Sequence, residues 1–265
     1  MSLGKTIRLN RLFSHPSGNL VSIAIDHFPG YSLGLPPGLR QIGPTLNAIM
    51  AGQPDAVTMH KGIALALWSR YAGRAGLILQ SSGVRPDDSA QEQFQTIDDA
   101  VRLGADALAI VAYVHGRTEA EYLRNVASYV RESEKVAIPV ICHVYPRDAG
   151  NNIIYTPEGI AWAVRCILEV GADVIKVPYC GDPVAHAQIV ADCPVRIVAA
   201  GGPKTATLNE ALSVLRQAVD AGVRGGTVGR NVWGSENITG AVRAYKAIIH
   251  DGKSADEALA VFESS

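Results

Sequence analysis

Seven lysines stand against seventeen arginines in this 265-residue chain, so candidates for amine chemistry are few. One of them, Lys176, interrupts an apolar run in the stretch GADVIKVPYCGD (171–182), flanked by Val174, Ile175 and Val177. An ammonium buried among such neighbours is costly unless something compensates. Burial favours the neutral amine, and a neutral amine can attack a carbonyl carbon to form a Schiff base. Lys61 and Lys204 also stand at the ends of apolar runs. They are read as ion-pairing or phosphate-binding groups, because Lys204 directly follows Gly201-Gly202-Pro203. Lys5, Lys135, Lys246 and Lys253 fall in terminal or helical segments and are read as solvated.

Carbon chemistry through an imine also needs a proton shuttle. Tyr145 closes the run 138–145 (IPVICHVY) and is a candidate for moving a proton to or from a substrate carbon or hydroxyl. Asp26, followed by His27, closes the run 20–26 and can orient a hydroxyl or carry a proton. The spacing leaves other roles open: a strand-end cap for Asp26-His27, a rim aromatic for Tyr145. Glycines at 201–202 and 229 let backbone N–H groups approach a phosphate, and Arg230 can add a charge-assisted contact. The plain alternative is tight turns and a surface charge. His27, His60, His115 and His143 are scattered over strand ends and show no metal-ligand spacing such as HExxH. A metal site assembled from them is the less favoured reading.

These residues need a scaffold that gathers strand ends. Short runs rich in Val, Ile, Leu and Ala recur at 20–26, 55–60, 76–80, 106–113, 138–145, 172–178, 195–200 and 225–229. Near-continuous apolar runs of this length are expected of parallel strands covered on both faces. Helical patterns lie between them. Segment 89–103 starts at Ser89 and ends before Gly104. Segment 118–135 opens with TEAE, which fits a capping box. Segment 156–170 opens with Thr156-Pro157-Glu158 and ends before Gly171, and 207–221 ends before Gly222. The phrases 103–106 (LGAD), 170–173 (VGAD) and 221–224 (AGVR) each lead from a helix end into a strand. Eight alternating units in one 265-residue stretch predict a single (β/α)8 barrel domain, with a doubly wound open sheet as second choice. Active sites of such barrels lie at the C-terminal strand ends, where the candidate residues fall. The irregular segment 26–38 is expected to be an active-site loop.

Composition narrows the partners. Net charge is −1 with no basic block, which argues against nucleic acid. The longest apolar runs, such as 107–114, are too short to span a bilayer, and the N-terminus lacks the apolar core of a signal peptide. Cys142, Cys166, Cys180 and Cys193 show no CxxC spacing and read as reduced thiols of a cytoplasmic protein.

As a set, Asp26-His27, AVTMHKG (56–62), GADVIKVPY (171–179), AAGGPKT (199–205) and GGTVGRNVWG (225–234) run through the chain in one order. In this the chain resembles the DhnA/DeoC-LacD class I aldolases. That group includes archaeal-type fructose-1,6-bisphosphate aldolase, 2-amino-3,7-dideoxy-D-threo-hept-6-ulosonate synthase and LsrF. The resemblance implies a (β/α)8 barrel and aldol chemistry on a phosphorylated small molecule. Lys176 would be the Schiff-base lysine, Tyr145 the acid/base and Asp26 a catalytic carboxylate. Gly201, Gly202, Gly229 and Arg230 would hold phosphate, with Lys204, His27 and His143 as further substrate contacts. The iminium is the electron sink, so no metal or other cofactor is required. A homo-oligomer, a decamer of two pentameric rings, is also implied. Three positions depart from the pattern: Phe28-Pro29-Gly30 follows Asp-His in place of glycine, His143 replaces a tryptophan, and Ala200 replaces a serine. They turn expectation away from fructose 1,6-bisphosphate itself. Acyl transfer on a phosphorylated diketone stands as the alternative within the family. Outside it stand a phosphate-binding barrel isomerase, with Lys176 as an electrostatic group, and a sugar-phosphate-binding barrel without catalysis.

Overall fold

The computed structural model describes residues 2–27 and 34–265. Ten strands lie among them: β1 (Leu20–Ala24), β2 (Ala56–Met59), β3 (Gly76–Gln80), β4 (Ser82–Val84), β5 (Gln91–Gln93), β6 (Ala107–Val114), β7 (Val140–Pro146), β8 (Val174–Val177), β9 (Arg196–Ala200) and β10 (Gly225–Val228). Eight of them pair in parallel in the order β1-β2-β3-β6-β7-β8-β9-β10, and β10 returns to β1. The sheet is therefore a closed eight-stranded barrel, and helices alternate with its strands. All eight expected strands are present. Closure at Leu20↔Gly225 depends on glycine. Gly225 has φ +101°, and a Cβ there would lie 2.1 Å from the Leu20 carbonyl oxygen.

Alternation along each strand sorts residues between the barrel interior and the helical layer. Leu20, Ala56, Ile78, Ala107, Ala109, Ile141, Val174 and Val198 form an inner cluster with Leu9, Leu12 and Phe13. The last three come from the N-terminal helix Leu3–Leu12 and the residue after it, which plug the barrel floor. Residues two further along β3, β7 and β8 keep the inward parity, and these are Gln80, His143 and Lys176.

Three aspartates brace that floor. Asp55, Asp106 and Asp173 accept the backbone N–H of Val21 (2.6 Å), Leu77 (3.2 Å) and Val140 (2.8 Å), each in the preceding barrel strand. Each also meets a cation or imidazole: His250 at 2.9 Å, Arg11 at 3.4 Å and Lys5 at 2.8 Å. The Gly-Ala-Asp phrase thus carries a clamp as well as a helix stop. Lys5, read as solvated, is only 5% exposed because this pair draws it inward.

Two helix expectations need correction. Segment 89–103 is not one helix. Gln91–Gln93 pairs antiparallel with Ser82–Val84, and the helix spans only Ile97–Arg102. Its cap is Thr96, in a capping box with Asp99, rather than Ser89. The helix Glu119–Val136 does begin after Thr118, but without the expected capping box. The Thr118 hydroxyl is engaged elsewhere, donating to Asp88 (2.8 Å) and accepting from Arg147. Helix Pro157–Val170 keeps the expected start at Thr156, and Leu208–Asp220 is capped by Thr207 in a capping box with Glu210. Of the expected loop 26–38, residues 28–33 lie outside the described residues.

Candidate active site

Lys176 projects into the barrel from β8, in register with His143 of β7 and Val198 of β9. It is 5% exposed. Burial pulls its amine from 10.5 down to about 8; the Asp26 carboxylate opposes this and the Arg230 charge adds to it. A usable fraction of the amine is therefore neutral near physiological pH. Thr227, Gly201, Gly202, Gly229 and Arg230 line the same cavity of about 90 Å³, together with His27, Tyr145 and Tyr155.

Asp26 follows β1. Burial alone would raise its pKa, but the surrounding basic side chains, His27 first, then Lys176, His143 and His60, outweigh it and hold the carboxyl well below the usual range. Its Oδ2 accepts a hydrogen bond from Gln80 Nε2 at 2.9 Å, and its Oδ1 lies 3.5 Å from His27 Nδ1. His27 and His143 are both held neutral, chiefly by burial, His27 at about 4. His60 spans the Asp26 and Gln80 carbonyl oxygens, 3.0 Å from each, and so ties the end of β1 to that of β3.

Tyr145 lies on β7 two residues beyond His143. Desolvation raises its phenol pKa, with the neighbouring Tyr113 and Asp26 adding, so the group stays protonated. Tyr113 backs it at 6.0 Å between ring centroids. Behind Tyr113 stands Arg147, 2% exposed and paired to Asp88 at 2.9 Å. This clamp anchors the β4–β5 connection to the mouth of the barrel.

At the opposite wall, the loops after β9 and β10 are knitted together. Arg230 Nη2 donates to the Gly202 carbonyl at 2.9 Å. Asn231 Nδ2 donates to the Gly201 and Pro203 carbonyls, both at 3.1 Å, and its Oδ1 accepts from Thr205 N. Among the described residues, Arg230 Nε is buried without a hydrogen-bond partner, which leaves a donor unused. A Cβ on Gly229 would sit 2.8 Å from the Ala24 carbonyl oxygen and inside the His27 ring, so only glycine fits there.

The structure therefore brings together Lys176, Tyr145, Asp26, His27, His143, Gly201, Gly202, Gly229 and Arg230. Lys204 stands apart: it is exposed and donates to the Gly234 carbonyl at 3.3 Å. Lys61 pairs with Asp99 at 3.0 Å, as a strand-end ion pair should. His115 stacks on Trp162, 5.7 Å between centroids. Among the described residues, no three His, Cys, Asp or Glu side chains gather as metal ligands would. Gln80 and Asn231 were not foreseen. Neither titrates; the available signal for Gln80 was a polar residue ending an apolar strand.

Comparison with known proteins sets this site in a lineage. The family model for DeoC/LacD family aldolase matches residues 22–235. The chain belongs to the DeoC/LacD aldolase family. It is 32% identical over 260 residues to a 2-amino-3,7-dideoxy-D-threo-hept-6-ulosonate synthase of Halobacterium salinarum, covering 97% of this chain and 96% of that one. It is 30% identical to a 3-hydroxy-5-phosphonooxypentane-2,4-dione thiolase of Escherichia coli, covering 98% and 87%. Among solved structures, an archaeal fructose 1,6-bisphosphate aldolase superposes with TM-score 0.82 at 28% identity, covering 94% and 100%. Another archaeal aldolase, at TM-score 0.81 and 26% identity over 93% and 99%, has its catalytic lysine covalently bound to a carbinolamine intermediate. The fold and class I chemistry expected of this family member thus agree with its relatives.

Proposed function

We propose that Lys176 is the Schiff-base lysine of this aldolase and that its substrate is a phosphorylated ketose or a related sugar phosphate. One observation carries the reading: a buried amine with its pKa near 8 shares a small cavity with a protonated phenol and an arginine-glycine anion corner. The neutral amine adds to the substrate carbonyl, and loss of water from the carbinolamine gives an iminium. In cleavage, the electron pair of the breaking C–C bond flows into the iminium and leaves an enamine, while the substrate hydroxyl loses its proton and becomes the aldehyde. Tyr145 is the shuttle for the hydroxyl proton and for the proton that returns to carbon. Asp26 orients the hydroxyl. Gly201, Gly202, Gly229 and Arg230 bind the phosphate, with Arg230 Nε as the unused donor.

Borohydride treatment during incubation with candidate ketose phosphates tests this reading. A reduced adduct mapped to Lys176 is expected. Turnover of a substrate without any adduct would overturn it and favour the isomerase alternative. The thiolase relative supports a second outcome for the same imine, acyl transfer from a phosphorylated diketone. Product analysis separates a released aldehyde from an acylated acceptor.

A homo-oligomer belongs to the same reading. Leu3, Leu65, Trp162 and Val184 are large exposed apolar side chains that an interface would cover. Sedimentation in solution tests for the decamer. A cytoplasmic setting is proposed from the four free cysteines. No helix among the described residues is long and apolar enough to cross a membrane.

A further inference from the structure

Gln80 is 1% exposed and makes its side-chain bonds at the heart of the barrel. Its Oε1 accepts from the backbone N–H of Ser82 at 3.0 Å. A backbone N–H can only donate, so this contact fixes which end of the amide is oxygen. The other end, Nε2, lies 2.9 Å from Asp26 Oδ2 and 3.3 Å from His143 Nδ1. An amide NH₂ has two hydrogens and no acceptor capacity. One hydrogen goes to the carboxylate and the other to the imidazole. His143 Nδ1 must then be the bare, accepting nitrogen, and the proton of the neutral ring sits on Nε2. Among the described residues no protein group accepts from that Nε2. The residue in register with His143 on the next strand is Lys176.

We propose that Gln80 is a positioning residue that locks His143 as an Nε2–H donor, and that this donor serves the substrate oxygen on the carbon attacked by Lys176. The inference rests on the Schiff-base reading above. His143 acts by hydrogen bonding alone. Its Nδ1 is occupied and cannot take a proton from substrate, and giving up Nε2–H would leave an imidazolate. The bond polarises the carbonyl during attack and steadies the carbinolamine oxygen before it leaves as water. The same amide holds Asp26 from the other side. One uncharged residue thereby sets the roles of two ionisable neighbours, in a space already shared with His27, His60 and Lys176.

The test is ¹⁵N NMR of the histidine-labelled enzyme, with His143 assigned by its loss in H143N. The wild-type ring is expected as the Nε2–H tautomer across the neutral range. In Q80E the new carboxylate accepts from His143 and faces Asp26. The ring should switch to Nδ1–H, and the acid limb of the kcat/KM profile should move to higher pH. Borohydride trapping on Lys176 should slow by about tenfold or more, as expected for one lost electrophilic donor. A wild-type Nδ1–H tautomer would overturn the proposal whether or not Q80E folds. So would a folded Q80E with unchanged tautomer and pH profile. Should the tautomer be Nε2–H while no ketose phosphate ever yields an adduct, the Schiff-base reading fails and the positioning of His143 stands.

Discussion

Lys176 and His143 stand in register on neighbouring strands, both buried, one an amine held near pH 8 and the other a ring held neutral. This pairing makes the lysine's state the chief pH-dependent quantity at the centre of the barrel. Its folded pKa lies below its unfolded value of 10.5, so the unfolded chain binds more protons between the two. Stability should therefore rise with pH from about 8 towards 10.5. The penalty present in full below about pH 8 is on the order of 3 kcal/mol. K176M removes the buried charge while keeping volume. It should abolish activity yet leave the melting temperature at pH 7 equal to or above that of the parent, by a few degrees. Calorimetry alongside an activity assay checks both halves. A marked destabilisation would show that the ammonium is better compensated than its pKa implies.

Substituting Tyr145 separates imine formation from carbon chemistry. Y145F keeps the ring against Tyr113, 6.0 Å away, and removes only the hydroxyl. The expected loss in kcat is about 10²–10⁴-fold, the usual worth of a positioned acid/base. The Lys176 adduct should still form under borohydride. If the adduct vanishes along with turnover, Tyr145 acts before the C–C step and the assignment is wrong.

The barrel was legible because its strands are apolar on both faces, and that burial shows as unbroken Val/Ile/Leu/Ala runs. Lys176 stood out for the same reason: it breaks such a run. Helix Pro157–Val170 was readable because Thr156, Pro157 and Gly171 act locally, and Gly171 indeed takes φ +88°. What failed depended on distant partners. Gln91–Gln93 is a strand only because Ser82–Val84 lies beside it, and its polar residues imitate a helix surface. Thr118 lost its capping role to Asp88 and Arg147, thirty residues away on either side. The one signal from Gln80 was a polar residue ending an apolar strand, which says nothing of its partners. It matters because the closed barrel sets it against Asp26 and His143.

Arg230 should govern affinity for the charged end of the substrate. R230M removes the charge and the donors while retaining much of the stem. It should raise KM for a phosphorylated substrate by roughly 10–100-fold, the worth of one charge-assisted hydrogen bond. The effect on an unphosphorylated analogue should be far smaller. Paired steady-state kinetics on the two substrates provide the check. Equal losses on both would mean that Arg230 acts by holding Gly202, to which it donates at 2.9 Å, rather than by binding phosphate.

At the other end of the barrel, Lys5 and Asp173 form a pair at 2.8 Å whose side chains are 7% and 8% exposed. Breaking a buried pair from one side strands the other charge. K5M leaves the Asp173 carboxylate with the Val140 N–H at 2.8 Å but without its cation. The expected cost is about 3 kcal/mol, somewhat less if water reaches the carboxylate. D173N keeps an oxygen for Val140 but leaves the Lys5 ammonium unpaired, so it should cost a similar amount. The double variant K5M/D173N should be more stable than the sum of the two losses predicts, because neither charge is then stranded. Because the pair sits on the floor and Lys176 lies further along the barrel towards its mouth, kcat of the folded single variants should stay close to that of the parent. Urea denaturation of the four proteins, read as a double-mutant cycle, measures the coupling. A coupling near zero would mean that the N-terminal helix is held by its other contacts, the Arg11–Asp106 pair and the apolar packing of Leu9, Leu12 and Phe13.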